Sequence, residues 1–530
     1  MNVHNVRKWC TVAALAALGI SSALHKTIAQ PGQAAVEQKG QVLTRGPVHE
    51  AFAETVTFDP MPGIVVPKTP PAAIEELPPD QRPEGANVAW VPGYWGWDDE
   101  RSDFLWVSGI WRDLPPGRQW VSGYWGSSAQ GFQWTSGYWA DAKVTEVQYL
   151  PEPPATVESG PNIAAPSPDN TWLPGCWVWQ NSRYAWRPGF WAAVQPDWDW
   201  VPAHYVYAPR GYVFVDGYWD YSIGRRGVLF APVYFDAGAY AQPGFSYSPA
   251  TVIDLNVFAN HLFLRPQYQH YYFGDYYAAN YQAAGFYPAY SYNSGRYGYD
   301  PIYAHERWQH RQDGQWEHRV AADFQNRRDH EDARPPRTWA AQRALGAGDL
   351  RSRETNPMVA APFSQFRKSP NSSRRFQPVD QVERQKLGQH AQEVQRFREQ
   401  RQKLETTAAA PSVTAPPKEL APARVPLPRS PFVARPVTDL GKDHAPPQMY
   451  EAPKPDFGVV AKPRVNVAAP QPQQHAVSRL PLNTAQPPPQ RQPSVERSAP
   501  QPRSNPAAAP HGPAVPPPAA PNQDKRKAKG

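Results

Sequence analysis

Trp120-Val-Ser-Gly123-Tyr-Trp125 is followed, after eight intervening residues, by Trp134-Thr-Ser-Gly137-Tyr-Trp139, and this recurrence decides how the chain is to be read. The unit is Trp, two residues, Gly, an aromatic or apolar residue, Trp. Upstream stand Trp90-Val-Pro-Gly93-Tyr-Trp95 and Trp106-Val-Ser-Gly109-Ile-Trp111. Downstream a second array begins with Trp172-Leu-Pro-Gly175-Cys-Trp177 and Trp186-Arg-Pro-Gly189-Phe-Trp191. It continues with Trp200-Val-Pro-Ala203-His-Tyr205 and Phe214-Val-Asp-Gly217-Tyr-Trp219, and Phe230 to Phe235 is a degenerate ninth copy. From Trp106 to Trp134, and again from Trp172 to Phe214, first positions recur every 14 residues, which is structural periodicity.

A period of 14 is less than half that of helix–turn–helix repeats, and Pro-Gly inside a unit breaks a helix. The aromatic and β-branched segments between turn formers read as strands. Pro-Gly suits the centre of a type II turn, with glycine at positive φ. Two readings stay open: two short strands per repeat, or one long strand bulged at Pro-Gly. Either gives a mainly β fold, an antiparallel β-meander of Trp-rich repeats, with arrays over 86–148 and 172–240 joined by a proline-rich linker over 149–171.

These motifs resemble the WXXGXW repeat, also written YXWGXW, of exported bacterial proteins. The resemblance covers about Val88 to Trp219 and implies an envelope or secreted location but no activity, because the family has none assigned. Ala203 for glycine and Phe214 for tryptophan depart from the pattern and put the seventh turn in question.

Arg7 and Lys8 precede an apolar run from Thr11 to Ile20 and then small residues, the pattern of a signal peptide over 1–29, with cleavage expected after Ala23 or Ala29. No other segment is long and apolar enough to span a bilayer. Residues 30–85 read as a proline-rich linker. Cys176 is then the lone cysteine of the mature chain, which excludes an internal disulfide framework; a small side chain filling a repeat slot is expected. The net charge of +7 is more than accounted for by 411–530, with 16 Lys and Arg against 7 Asp and Glu, so no basic folded surface for nucleic acid is indicated.

The tyrosine-dense stretch within 241–345 reads as an irregular cap on the sheet, the place for a ligand site, followed by amphipathic helices. His261, His270, Asp275, His305 and His310 are metal-ligand types without metal-ligand spacing, so no metal or other cofactor is expected. After a linker over 346–379, residues 380–406 form a polar helix with Val382, Leu387, Ala391, Val394 and Leu404 near one face. Residues 407–530, dense in proline and ending in Lys525-Arg-Lys-Ala-Lys, are expected to be a disordered basic tail.

No nucleophile elbow, phosphate loop or dinucleotide fingerprint occurs, and the neighbouring Asp98, Asp99 and Glu100 fall in a turn, where acids are ordinarily solvated. The expectation is a non-enzymatic envelope scaffold whose partner is an envelope polymer or another envelope protein. The alternative is a carbohydrate- or wall-polymer-binding module, which requires exposed Trp and Tyr faces.

Overall fold

The repeats pair two by two. In the computed structural model, which describes residues 40–236, 238–293, 296–346, 358–368, 374–406, 422–435 and 445–462, all within the unit Met1–Ala469, eight motifs make four long antiparallel hairpins. Hairpin 1 joins Val88–Val91 to Ile110–Asp113 and Tyr94–Asp98 to Asp103–Val107. Hairpin 2 joins Arg118–Val121 to Tyr138–Asp141 and Tyr124–Ser128 to Gly131–Thr135. Hairpin 3 joins Asn170–Leu173 to Phe190–Ala193 and Cys176–Gln180 to Arg183–Arg187. Hairpin 4 joins Trp198–Val201 to Tyr218–Tyr221 and His204–Ala208 to Gly211–Val215.

Each motif therefore contributes two short strands, but the Pro-Gly step between them does not reverse the chain. Both arms of a hairpin kink at the same level and continue. The chain reverses at the hairpin tips, where positive φ is found: Asn181 and Ser182 at 50° and 59°, as a type I′ turn requires, and Gly211 at 143°. The extra two residues between Trp90 and Trp106 lie in the tip of hairpin 1, which spans Asp99 to Ser102. The ladders do not run on from hairpin to hairpin as one meander; strands form separate sheets of two to four.

Register places like residues opposite one another. Trp90 faces Trp111, Trp95 faces Trp106, Trp120 faces Trp139, Trp125 faces Trp134, Trp172 faces Trp191, Trp177 faces Trp186 and Trp200 faces Trp219. Tyr205 and Phe214 make the eighth pair. Ring centroids are 5.0–5.5 Å apart and the planes tilted or edge-on, the arrangement favoured by aromatic quadrupoles. Each such cross-strand pair contributes about 0.5–1.5 kcal/mol beyond its area burial.

Two segments read as linker or tail contribute to the core instead. Of the proposed 30–85 linker, the part from Gly40 onward threads among the hairpins, burying Val48, Ala51, Phe52, Ala53 and Val56. Gly40–Val42 pairs with Val233–Phe235 of the ninth copy, which itself lies alongside Trp106. Within 407–530, Ala423–Pro426 pairs with Glu146–Leu150, Phe432 is buried, and Tyr450 packs on Trp200 and Trp219. The expected signal peptide and Lys525 to Lys529 lie outside the described residues.

The Tyr-rich segment is also more regular than its composition predicts. Leu262–Arg265 and His270–Phe273 form a hairpin inside a four-stranded sheet. Helices α1 (Pro301–Gln309) and α2 (Trp316–Asp329) follow, and α3 (Gln381–Thr406) buries Val394 and Phe397 and docks on hairpin 2 through Arg401 and Glu405. Val382, assigned to the apolar face of that last helix, is exposed instead. No described helix is long and apolar enough to cross a membrane.

Candidate functional site

The motif glycines are required by contact, not by φ. None of Gly93, Gly109, Gly123, Gly137, Gly175, Gly189 or Gly217 has positive φ, so the type II turn is overturned. A Cβ on any of them would fall within 3.0 Å of the first tryptophan of the facing motif: Trp106 over Gly93, Trp90 over Gly109, Trp134 over Gly123, Trp120 over Gly137, Trp186 over Gly175, Trp172 over Gly189, Trp200 over Gly217. The edge of the indole sits against the kink of its partner, and only hydrogen leaves room for it.

At three of these kinks the same polar device recurs. The indole N–H of a motif's first tryptophan and the backbone N–H of its glycine, three residues on, both donate to one glutamate from outside the motifs. Glu76 accepts from Trp106 Nε1 at 3.0 Å and Gly109 N at 2.9 Å, and from Gly93 N at 2.7 Å. Glu50 accepts from Trp134 Nε1 at 2.9 Å and Gly137 N at 3.1 Å, with Ser136 Oγ at 2.7 Å. Glu158 accepts from Trp172 Nε1 at 3.2 Å and from Gly175 N. Burial pushes Glu76 up to about 7 against the three donors, which pull it down.

Hairpin 4 solves the same problem with different atoms. Phe214 has no N–H to offer, and Glu54 is received instead by His204 Nε2 at 3.0 Å and the Tyr218 hydroxyl at 2.9 Å. His204 Nδ1 lies 2.9 Å from Pro202 O, so both ring nitrogens face acceptors. Burial opposes the imidazolium, but the Glu54 charge and hydrogen bond outweigh it and raise the His204 pKa. Ala203, His204 and Phe214 are thus one coordinated departure from the repeat.

Glu50 and Glu54 stand in a single buried segment, His49 to Glu54. His49 Nδ1 accepts from Ala51 N at 3.1 Å, leaving Nε2–H to donate to Pro92 O at 3.2 Å in the kink of hairpin 1. Burial drives its pKa down to about 3. One hexapeptide therefore touches three of the four kinks. Beneath it Arg112 grips Asp220 with two bonds of 2.6 Å, Arg226 holds Asp199 at 2.8 Å, and Arg112 and Arg226 donate to Ala51 O and Phe52 O.

The histidines and acids considered as metal ligands are dispersed. His261 Nδ1 lies 2.6 Å from the Tyr277 hydroxyl, His270 Nε2 lies 2.7 Å from the Tyr94 hydroxyl, Asp275 pairs with Arg337 at 2.6 Å, His305 faces Asp199 at 3.0 Å, and His310 stacks on Trp316. Among the described residues no three of His, Cys, Asp and Glu are placed to hold a metal ion. Asp99 and Glu100 are exposed, as acids in a turn are expected to be, and Asp98, Asp99 and Glu100 also bind Tyr234, Arg265 and Arg45 respectively, tying the tip of hairpin 1 to other parts of the chain. Cys176 is half-buried with Sγ 3.2 Å from Trp177 O, and burial pushes its thiol up to about 12.

Glu50, Glu54, Glu76 and Glu158 were not singled out in the sequence. The one available signal was an acid set in an apolar run, as in Val48-His-Glu50-Ala-Phe-Ala-Glu54 and Ala73-Ile-Glu-Glu76-Leu. Compared with known protein families, curated proteins and solved structures, the chain matches none.

Proposed function

We propose that this protein is an exported scaffold of the bacterial cell envelope, built on a WXXGXW-type repeat and without catalytic activity. The observation that carries the reading is that most of the repeat tryptophans are buried against their own chain. Trp90, Trp95, Trp106, Trp111, Trp120, Trp134, Trp139, Trp177, Trp186 and Trp219 are buried, and three indole–glycine forks are filled by Glu50, Glu76 and Glu158. Tryptophan so placed contributes rigidity, about 1.5–3 kcal/mol per fully buried large apolar side chain. Its partner on this reading is an envelope polymer or another envelope protein.

Carbohydrate binding needs open ring faces, and within the motifs Trp125, Trp172, Trp191 and Trp200 keep partial exposure. Three of the four lie in the second array, so that array is the platform the sugar reading would have to use. Titrating purified wall glycans while following Trp fluorescence separates the two. The scaffold reading expects no saturable change. A saturable quench that Trp191→Ala abolishes would replace it with the sugar reading.

A further inference from the structure

The Tyr-rich region holds a cleft that the scaffold role does not use. It opens between α2 and the sheet containing Leu262–Arg265, with α1 at one end. Trp316, Val320, Asp323, Phe324 and Arg327 recur at helical spacing along α2 and line one wall, yet α2 buries no residue fully. Phe324 touches the Phe263, Tyr277 and Tyr290 rings and Trp316 stacks on Tyr303, so the helix meets this surface through two aromatic side chains and the cleft lies beside them. The floor is Phe263 and Tyr277, both buried, and Tyr290 borders the opening.

Glu306 of α1 lines this cleft, half-buried, and its carboxylate makes no hydrogen bond or ion pair among the described residues. Its neighbours explain why: Tyr303 gives its hydroxyl to Glu317, Arg307 pairs with Glu317, and His305 faces Asp199. Burial raises the Glu306 pKa against the pull of His305 and His310. Asp323 adds a second carboxylate at the rim. The one cation of the lining, Arg327, has its guanidinium 5.8 Å from the Tyr277 ring, on the floor. Glu306 is partly shielded from water and has no donor from the chain, and an ammonium is the group that pairs with such an acid. Aromatic rings beside it favour the same sign of charge.

We propose that this cleft binds a primary alkylammonium, an amine on a short apolar stem such as a lysine side chain presents, with Glu306 as its acceptor and the aromatic floor holding the stem. Saturation-transfer NMR and calorimetry on the full chain, with n-butylammonium, butyrate and n-pentanol as probes, test it. The expected result is saturable binding of n-butylammonium, at least about tenfold weaker for n-pentanol, a factor equal to about 1.4 kcal/mol, and none for butyrate. Glu306→Gln should weaken the amine by a similar factor, while Glu317→Gln, whose partners are Tyr303 and Arg307, should not. Val320→Trp, which fills the cleft and changes no charge, should abolish binding with the far-UV spectrum unchanged. Absence of saturable amine binding, equal binding of butyrate, or unchanged binding in Val320→Trp would each overturn the proposal.

Discussion

At the scale of single residues, the repeat is a contact between one indole and one glycine. The seventh and eighth copies show the rule by breaking it together: where Phe214 replaces tryptophan, Ala203 replaces the glycine that such a ring covers elsewhere. The smaller ring leaves room for a methyl group. Phe214→Trp alone should therefore overpack the kink and destabilise by about 1–3 kcal/mol. Adding Ala203→Gly should restore most of that loss. Urea unfolding of the two single variants and the double variant measures the coupling, and purely additive effects would refute the pairing of ring and glycine. The motif and its 14-residue step were legible because identical side chains repeat in register. The reason for the glycine was not, since a positive-φ turn and a covered backbone demand the same residue and differ only in what lies across the strand pair.

At the scale of elements, the kinks are held from outside the motifs, and α3 illustrates how. Arg401 donates to Ser122 O and Ser136 O, one carbonyl from each arm of hairpin 2, at 2.9 Å each, and to Glu405 at 2.9 Å. Glu405 in turn accepts from the Tyr124 and Tyr149 hydroxyls. Arg401→Met removes the cation and leaves a buried carboxylate facing two phenols, a loss of about 3–5 kcal/mol. Arg396→Met on the exposed face of the same helix should stay within about 0.5 kcal/mol of the parent. Thermal unfolding followed by helix ellipticity distinguishes them. A polar helix was readable over 380–406, but its docking was not. Hydrophobic periodicity weighs Val382 and Leu387 and passes over an arginine and a glutamate that bury only because they bind each other. The strands Leu262–Arg265 and His270–Phe273 escaped notice for the related reason that every residue in them is buried, which erases the polar alternation that marks a half-exposed strand.

At the scale of the whole molecule, the same internal wiring sets how stability depends on pH. His49 and His261 are buried and their pKa values pushed down to about 3, so the unfolded chain binds protons that the folded chain refuses. Their contribution is present above the ordinary histidine value of 6.5 and is lost as pH falls toward about 3. Glu76 and Asp300 behave oppositely. Burial raises each to about 7, so their contribution is full below the ordinary carboxyl values and is lost as pH rises through about 7. Between roughly pH 4.5 and 6.5 two protons taken up by unfolding on one account oppose two released on the other, and the slopes cancel. Above that window only losses remain, because His204 and His305, raised through Glu54 and Asp199 against the effect of burial, also surrender stability as they deprotonate. The expected profile is a plateau through mildly acid pH, a fall below about 4 as the carboxyl terms level off and the histidine terms do not, and a second fall that begins above about 6.5, carried by the carboxyl groups to about 7 and by His204 and His305 beyond it. Denaturant unfolding from pH 3 to 9 measures it. Glu76→Gln keeps an acceptor oxygen without a titrating group, and it should make stability rise with pH across the former plateau and shallow the fall between about pH 6.5 and 7. His261→Gln should flatten the acid limb, make stability decline with pH across the former plateau, and leave the alkaline limb alone. A stability maximum above pH 8 in the parent, or identical profiles in the two variants, would show that these buried groups do not govern the response.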